Sequence, residues 1–167
     1  MEKRVRYDVE SCSSHMTFVF SFLVGLFAGL RSLTAPAAMA WAAYLGWLTL
    51  EGPLSLIGSV ASVAILTLLA IVELIADKLP RTPRRTSPPG VIARIVMGGL
   101  TGACIAANRR GMFFGALLGA IGGVAGCFLG YRARIGLVQA LGTRDIYIAL
   151  VEDLVAIAGS VWVVSRF

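Results

Sequence analysis

Charge is what this sequence has least of: Asp, Glu, Lys and Arg make up 14% of the 167 residues, while hydrophobic types make up 57%. An ordinary soluble domain carries roughly 25% charged residues, so a water-soluble globule is the wrong starting class. Histidine is nearly absent. His15 stands alone, which leaves no material for His-based metal sites or a Ser-His-Asp arrangement. The three cysteines, Cys12, Cys104 and Cys127, are odd in number and share no C-x-x-C spacing, which argues against a disulfide framework and a zinc site. No nucleophile has an evident neighbouring base, so the reading is not an enzyme, and neither cofactor nor metal is expected. The net charge of +6 lies in short clusters between apolar runs, which is membrane-topology charge and not a nucleic-acid footprint.

What the chain has in abundance is apolar length and glycine. Its 19 glycines fall inside apolar runs, where a soluble helix would lose about 1 kcal/mol apiece relative to alanine; membrane helices tolerate them. A hydrocarbon core of about 30 Å takes about 20 helical residues to cross. Residues 56–77, 112–130 and 146–164 meet or approach that length, and 91–107 is a thin span or a re-entrant piece. Residues 16–50 are too long for one crossing and are interrupted at Arg31 to Pro36. Proline removes a donor and disfavours helix in the residue before it, so the expectation is a helix, a break and a second, shorter helix. Residues 16–30 followed by Ala38-Met39-Ala40 imitate a signal peptide, but Arg31 and Pro36 spoil that pattern and the segment reads as part of the mature protein. The predicted fold is therefore all-α: a polytopic helical membrane protein with four to six hydrophobic helices, at least one broken or re-entrant. Residues 1–15 are read as a cytoplasmic lead and residues 16–166 as a single transmembrane domain with a basic cytoplasmic loop at 78–90.

Loop charge discriminates among arrangements, because Lys and Arg concentrate in cytoplasmic loops. Six full crossings place six cations on the side of the amino terminus and eight on the other, a bias of the wrong sign. If residues 35–50 dip in and return, ten fall inside and three outside, and the split is the same if residues 91–107 are re-entrant as well. Charge therefore favours four or five crossings.

Glycine spacing describes how the helices meet. Gly115, Gly119 and Gly123 recur on one helical face, Gly122, Gly126 and Gly130 on a neighbouring one, and Gly25 with Gly29 and Gly98 with Gly102 repeat the interval. Small residues at that spacing let backbones approach where lipid removes the hydrophobic drive to associate. The helix over 112–130 should be central, with its faces filled internally or by a second copy in a homo-oligomer. A faint echo of Ala70-Ile71-Val72-Glu73 in Ala149-Leu150-Val151-Glu152, and of Phe27 to Arg31 in Phe128 to Arg132, raises an internal duplication as an alternative.

Ionisable residues at membrane depth cost about 2.5 to 3.5 kcal/mol on insertion scales and usually face a bundle interior or a wet cavity. Glu73 and Asp77, four apart, share a helix face. Arg94 is the obvious counter-charge for either. Glu152 and Asp153 diverge by about 100°, so one of them faces the interior, and Glu152 is the choice. Arg31 sits at the helix break, where a helix amino terminus could present donors to an anion. Arg31, Glu73, Asp77, Arg94 and Glu152 are the candidate binding residues. Against this stands a structural role for each: Arg31 snorkelling to the interface, Asp77 with Lys78 capping a helix end, and Glu73 with Arg94 only fixing register. The basic loop would contact anionic membrane lipid.

Two motifs carry a resemblance. Gly29-Leu30-Arg31-Ser32-Leu33-Thr34-Ala35-Pro36, with Glu73-x-x-x-Asp77-Lys78-Leu79-Pro80 and Arg81-Thr82-Pro83 after it, resembles an uncharacterised family of small bacterial integral membrane proteins over about residues 25–131. The resemblance implies a bacterial inner-membrane protein in which Arg31, Glu73, Asp77 and Lys78 belong to the motif, and it brings no activity. The expected function is that of a transporter or channel for a small solute or ion. The alternative is a non-transporting module that binds lipid or scaffolds a complex.

Overall fold

The computed structural model describes residues 2–50, 52–77, 88–107, 111–142 and 145–167, with side chains from His15 onward. Six α-helices occur in chain order, α1 Glu2–Leu30, α2 Thr34–Tyr44, α3 Val60–Ala76, α4 Pro88–Ile105, α5 Met112–Leu141 and α6 Asp145–Val164, with a 3-10 segment at Gly52–Gly58. Among the described residues no strand forms. Helices α4, α5 and α6 are each long and apolar enough to cross a membrane, and the 3-10 segment with α3 makes a fourth span bent by 63°. This is the make-up of a polytopic helical membrane protein. The polar lead is not a separate element, since α1 begins at Glu2 and continues into the apolar run.

Local chemistry accounts for the boundaries. Pro36 is the third residue of α2, a position whose N–H has no partner within its own helix, so proline is tolerated there but denies α1 a continuation. Ser59 caps α3 by accepting the Ser62 N–H at 3.2 Å. Gly142 closes α5 in the left-handed region at φ +57°, where a side chain would be strained.

Helices α1, α4 and α5 form a tight trio because glycine removes the side chains between them. Gly119 lies against the backbones of Gly25 on α1 and Gly98 on α4; a Cβ on Gly98 would sit 2.5 Å from the Gly119 oxygen. Gly115 meets Gly102, Gly123 meets the Arg94 carbonyl, and Gly122 and Gly126 meet the Phe22 and Leu26 carbonyls. The two glycine faces of α5 are thus filled by α4 and α1 of the same chain. A homo-oligomer would have to use other surfaces. Ser21 Oγ adds a polar tie to the trio, 3.2 Å from the Gly102 carbonyl oxygen. Around the trio, α6 packs on α1 and α2, while α3 leans chiefly on α2. A small apolar core of Val24, Ala28, Met39, Leu48, Cys104, Val163 and Val164 joins α1, α2, α4 and α6.

Contacts between the described residues give the helix directions. Arg31, at the end of α1, touches Asp77 at the end of α3, and Arg94 near the start of α4 bonds to Gly29. Phe18, early in α1, touches Phe114 at the start of α5, and Phe20 touches Trp162 at the end of α6. The helix ends that flank residues 78–87 therefore lie at one end of the bundle, and the start of apolar α1 at the other. Residues 35–50 do not dip and return: Ser32 lies level with Glu73, Trp41 bonds Thr67, and Leu48 joins the core beside Cys104 and Val164. Helix α2, at 11 residues, is only about 16 Å long, and the chain after it completes the pass. Helix α4 is an unbroken 18-residue helix long and apolar enough to cross, and it lies along α1 from Gly29 to Ser21.

Tyr147 and Trp162, both exposed on α6, are 15 residues or about 22 Å apart along the axis, as aromatic belts at two interfaces would be. In a Cys12→Ser background, Pro88→Cys and Ser165→Cys should be labelled by an impermeant thiol reagent from opposite sides of sealed vesicles. Labelling from the same side would overturn this topology.

Candidate functional site

The break between α1 and α2 exposes two helix ends of opposite polarity, and each is met by the opposite charge from another helix. The carboxyl-terminal end of α1 offers carbonyl oxygens; Arg94 Nε, from α4, donates to Gly29 O at 2.9 Å while Arg94 Nη1 donates to Gly90 O at 2.9 Å. The amino-terminal end of α2 offers N–H groups. The Glu73 carboxylate, from α3, accepts from Ser32 N and Leu33 N, both at 2.9 Å, and from Ser32 Oγ at 2.6 Å. A cation at a helix carboxyl end and an anion at an amino end are the favoured placements for the helix dipole, worth up to about 2 kcal/mol each when partly buried.

Between these two ends lies Arg31, wholly buried. Its Nε donates to Asp153 Oδ1 at 2.6 Å, its Nη2 also pairs with that oxygen, and its Nη1 pairs with Asp77 Oδ2. One guanidinium thereby joins the α1–α2 break to α3 and α6. The fork geometry of arginine suits this role, whereas a lysine ammonium would not span two carboxylates from different helices as well.

Arg31, Glu73, Asp77 and Arg94 all converge on the break, but not with every expected partner. Arg31 does not snorkel. Glu73 is held by the backbone donors of Ser32 and Leu33 at the start of α2, and Arg94 bonds instead to carbonyls of Gly29 and Gly90. On α6 the residue that joins this cluster is Asp153 and not Glu152, although both side chains are largely buried. Asp153 shares the buried stripe of Ala149, Ala156, Ser160 and Val163, and the turn of about 100° between neighbours sends Glu152 toward α5. There the Glu152 carboxylate stands 3.8 Å from Arg134 Nη1, and Arg134 Nε bonds Asp145 Oδ1 at 2.7 Å. Lys78 lies outside the described residues. The residues of the sequence echo have different surroundings: Arg31 is buried where Arg132 is exposed, and Glu73 caps a helix where Glu152 faces an arginine.

Sequence reasoning missed Asp153 and two buried hydroxyls. Thr34 Oγ1, on the first residue of α2, and Ser160 Oγ, on the inner stripe of α6, are buried with no hydrogen-bond partner among the described residues. The seven-residue spacing of Asp153 and Ser160, together with the alanines between them, could have pointed to the inner face of α6. Asp153 is six residues from Tyr147, or about 9 Å along the axis, so the cluster lies within the length of α6, nearer its start. No group of three or more His, Cys, Asp or Glu that could hold a metal ion occurs among the described residues.

The family described as a domain of unknown function, DUF4126, matches residues 19–165. That span contains every charge of the cluster. No curated protein and no solved structure matches the chain.

Proposed function

The chain belongs to the DUF4126 family, and because that description carries no activity we propose, from the chain's own buried charges, that this membrane protein moves a small solute or ion through the seam at the α1–α2 break. The observation that carries the reading is Arg31, wholly buried and bridged to carboxylates on two other helices. Ionisable residues are expensive at this depth, and in transporters they mark substrate and ion paths, often where a helix is interrupted. The division of the bundle favours movement there. The glycine trio leaves no side-chain space between α1, α4 and α5, whereas α3 leans chiefly on α2 and reaches the break through Glu73 and Asp77. Helix α3 is thus the element free to shift.

Glu73→Gln keeps an oxygen for one N–H but loses the charge, and a hydrogen bond to a charged group is worth about 1.5 to 3 kcal/mol. Purified protein in liposomes, challenged with sodium, potassium and chloride gradients and a pH-reporting dye, should show flux that Glu73→Gln lowers by about tenfold or more in protein that still folds, with a melting temperature somewhat below that of the wild type. Equal flux in the variant would overturn the role given to Glu73, and no flux of any of these ions in the wild type would count against transport. The second reading, a lipid-binding or scaffolding module, is favoured by the close-packed trio, which suits a rigid body. It requires that Glu73→Gln change nothing while membrane partners or lipids copurify unaltered.

A further inference from the structure

At the amino terminus of α2 every group that meets Glu73 is a donor. Ser32 N–H, Leu33 N–H and Ser32 O–H converge on one carboxylate, and the Arg31 guanidinium is on the adjoining residue. Donors of this kind do not ligate cations. The carbonyls that could, at the end of α1, are engaged by Arg94 through Gly29. The site is selective for negative charge by the direction of its dipoles, although Glu73, Asp77 and Asp153 outnumber Arg31 and Arg94. A second feature of the same turn points to a ligand: Thr34 is 7% exposed and its hydroxyl is buried with no hydrogen-bond partner among the described residues. A buried hydroxyl without a partner costs about 1 to 3 kcal/mol, a cost that an acceptor bound at this turn would remove.

From this geometry we infer that the Ser32–Thr34 turn is a binding site for a small monovalent anion of carboxylate or halide size, and that Glu73 occupies it as a tethered substitute. The inference rests on the transport reading and narrows its substrate class. Because Glu73 is itself the anion in the seat, a free anion enters only when Glu73 withdraws, and Glu73 is carried by α3, the helix least embedded in the bundle. The half-buried state of Glu73 and Leu33, against the buried Ser32 and Thr34, gives the seat one side open toward the surface. With Glu73 replaced by a neutral residue, Arg31 and Arg94 balance Asp77 and Asp153, and an incoming anion restores the original charge.

The test is binding of sodium formate and sodium bromide, at constant ionic strength, to purified full-length protein, read by calorimetry and by the rise in melting temperature. Glu73→Ala empties the seat and should bind formate about tenfold or more tightly than the wild type, with a melting temperature that formate raises toward the wild-type value. Adding Ser32→Ala to Glu73→Ala should remove most of that gain. Should Glu73→Ala not fold, Glu73→Gln is used for the same comparison, with a smaller gain expected because its amide still covers part of the seat. Equal affinity for formate and bromide in the wild type and the variants overturns the anion site. The companion flux assay separates the two ideas: cation flux without any gain in formate binding removes the anion site and leaves transport standing. A gain in formate binding with no ion flux in the wild type keeps the anion site and removes transport.

Discussion

Arg31→Met should abolish accumulation of folded protein in the membrane. The guanidinium is wholly buried and lies between Asp77 and Asp153, so its removal leaves two carboxylates inside the apolar slab without their shared cation. Removing one partner of a buried ion pair costs about 3 to 5 kcal/mol, a large part of the 5 to 15 kcal/mol that typically separates folded from unfolded protein. The loss is not a property of the methionine, which matches the arginine stem in bulk. It comes from uncompensated charge. The triple variant Arg31→Met, Asp77→Asn, Asp153→Asn should therefore recover much of the lost yield, since replacing a whole buried ion cluster by neutral groups is often close to neutral. Arg31→Lys should fall between, because an ammonium keeps the charge but spans α3 and α6 poorly. The measurement is yield in membranes and melting temperature in detergent across the four proteins. If the single variant accumulates normally, or if the triple variant is worse than the single one, the cluster does not hold these helices together.

The same cluster shows which parts of the fold are legible in a sequence. Arg31 and the Glu73–Asp77 pair could be found because each is a charge in an apolar run, and a spacing of four places two residues on one face whatever the helix packs against. Asp153 could not be chosen over Glu152 on the same grounds. Both are charges in the same run, and the choice depends on how α6 is rotated about its axis, which is set by the alanine and serine stripe that contacts α1 and α2. The partner of Glu73 was hidden for a different reason. It is backbone, at Ser32 and Leu33, and backbone donors become available only where a helix begins. The break was visible in Pro36, but not that α3 would lie across it. The glycine faces were legible as packing surfaces, and the contacts assign both to neighbours in the same chain.

That assignment leads to the second large effect: Gly119→Leu prevents the bundle from closing, instead of merely dispersing an oligomer. Gly119 is where the three helices of the trio come closest, and a Cβ there would lie 2.9 Å from Gly102 Cα and 3.0 Å from the Gly98 carbonyl carbon. These are backbone atoms, which cannot rotate away as a flexible side chain could. Even Gly119→Ala overpacks, at a cost of about 1 to 3 kcal/mol or somewhat more. Leucine adds three further carbons at a point where α4 and α1 both bear on α5, and it separates backbones whose attraction in lipid depends on contact. The distant charge cluster is then lost as well, because Arg94 reaches Gly29 only while α4 and α1 are in register. The control lies on the same helix. Gly136 has nothing within 4 Å of its missing Cβ, so Gly136→Ala should leave the protein unchanged or stabilise it by up to about 1 kcal/mol through helix propensity alone. Melting temperature and monodispersity of the Gly119→Ala, Gly119→Leu and Gly136→Ala proteins decide the matter. A well-folded Gly119→Leu protein that differs from the wild type only in oligomeric state would mean that this face of α5 is not enclosed by α1 and α4, and with it would go the rigid half against which α3 is proposed to move.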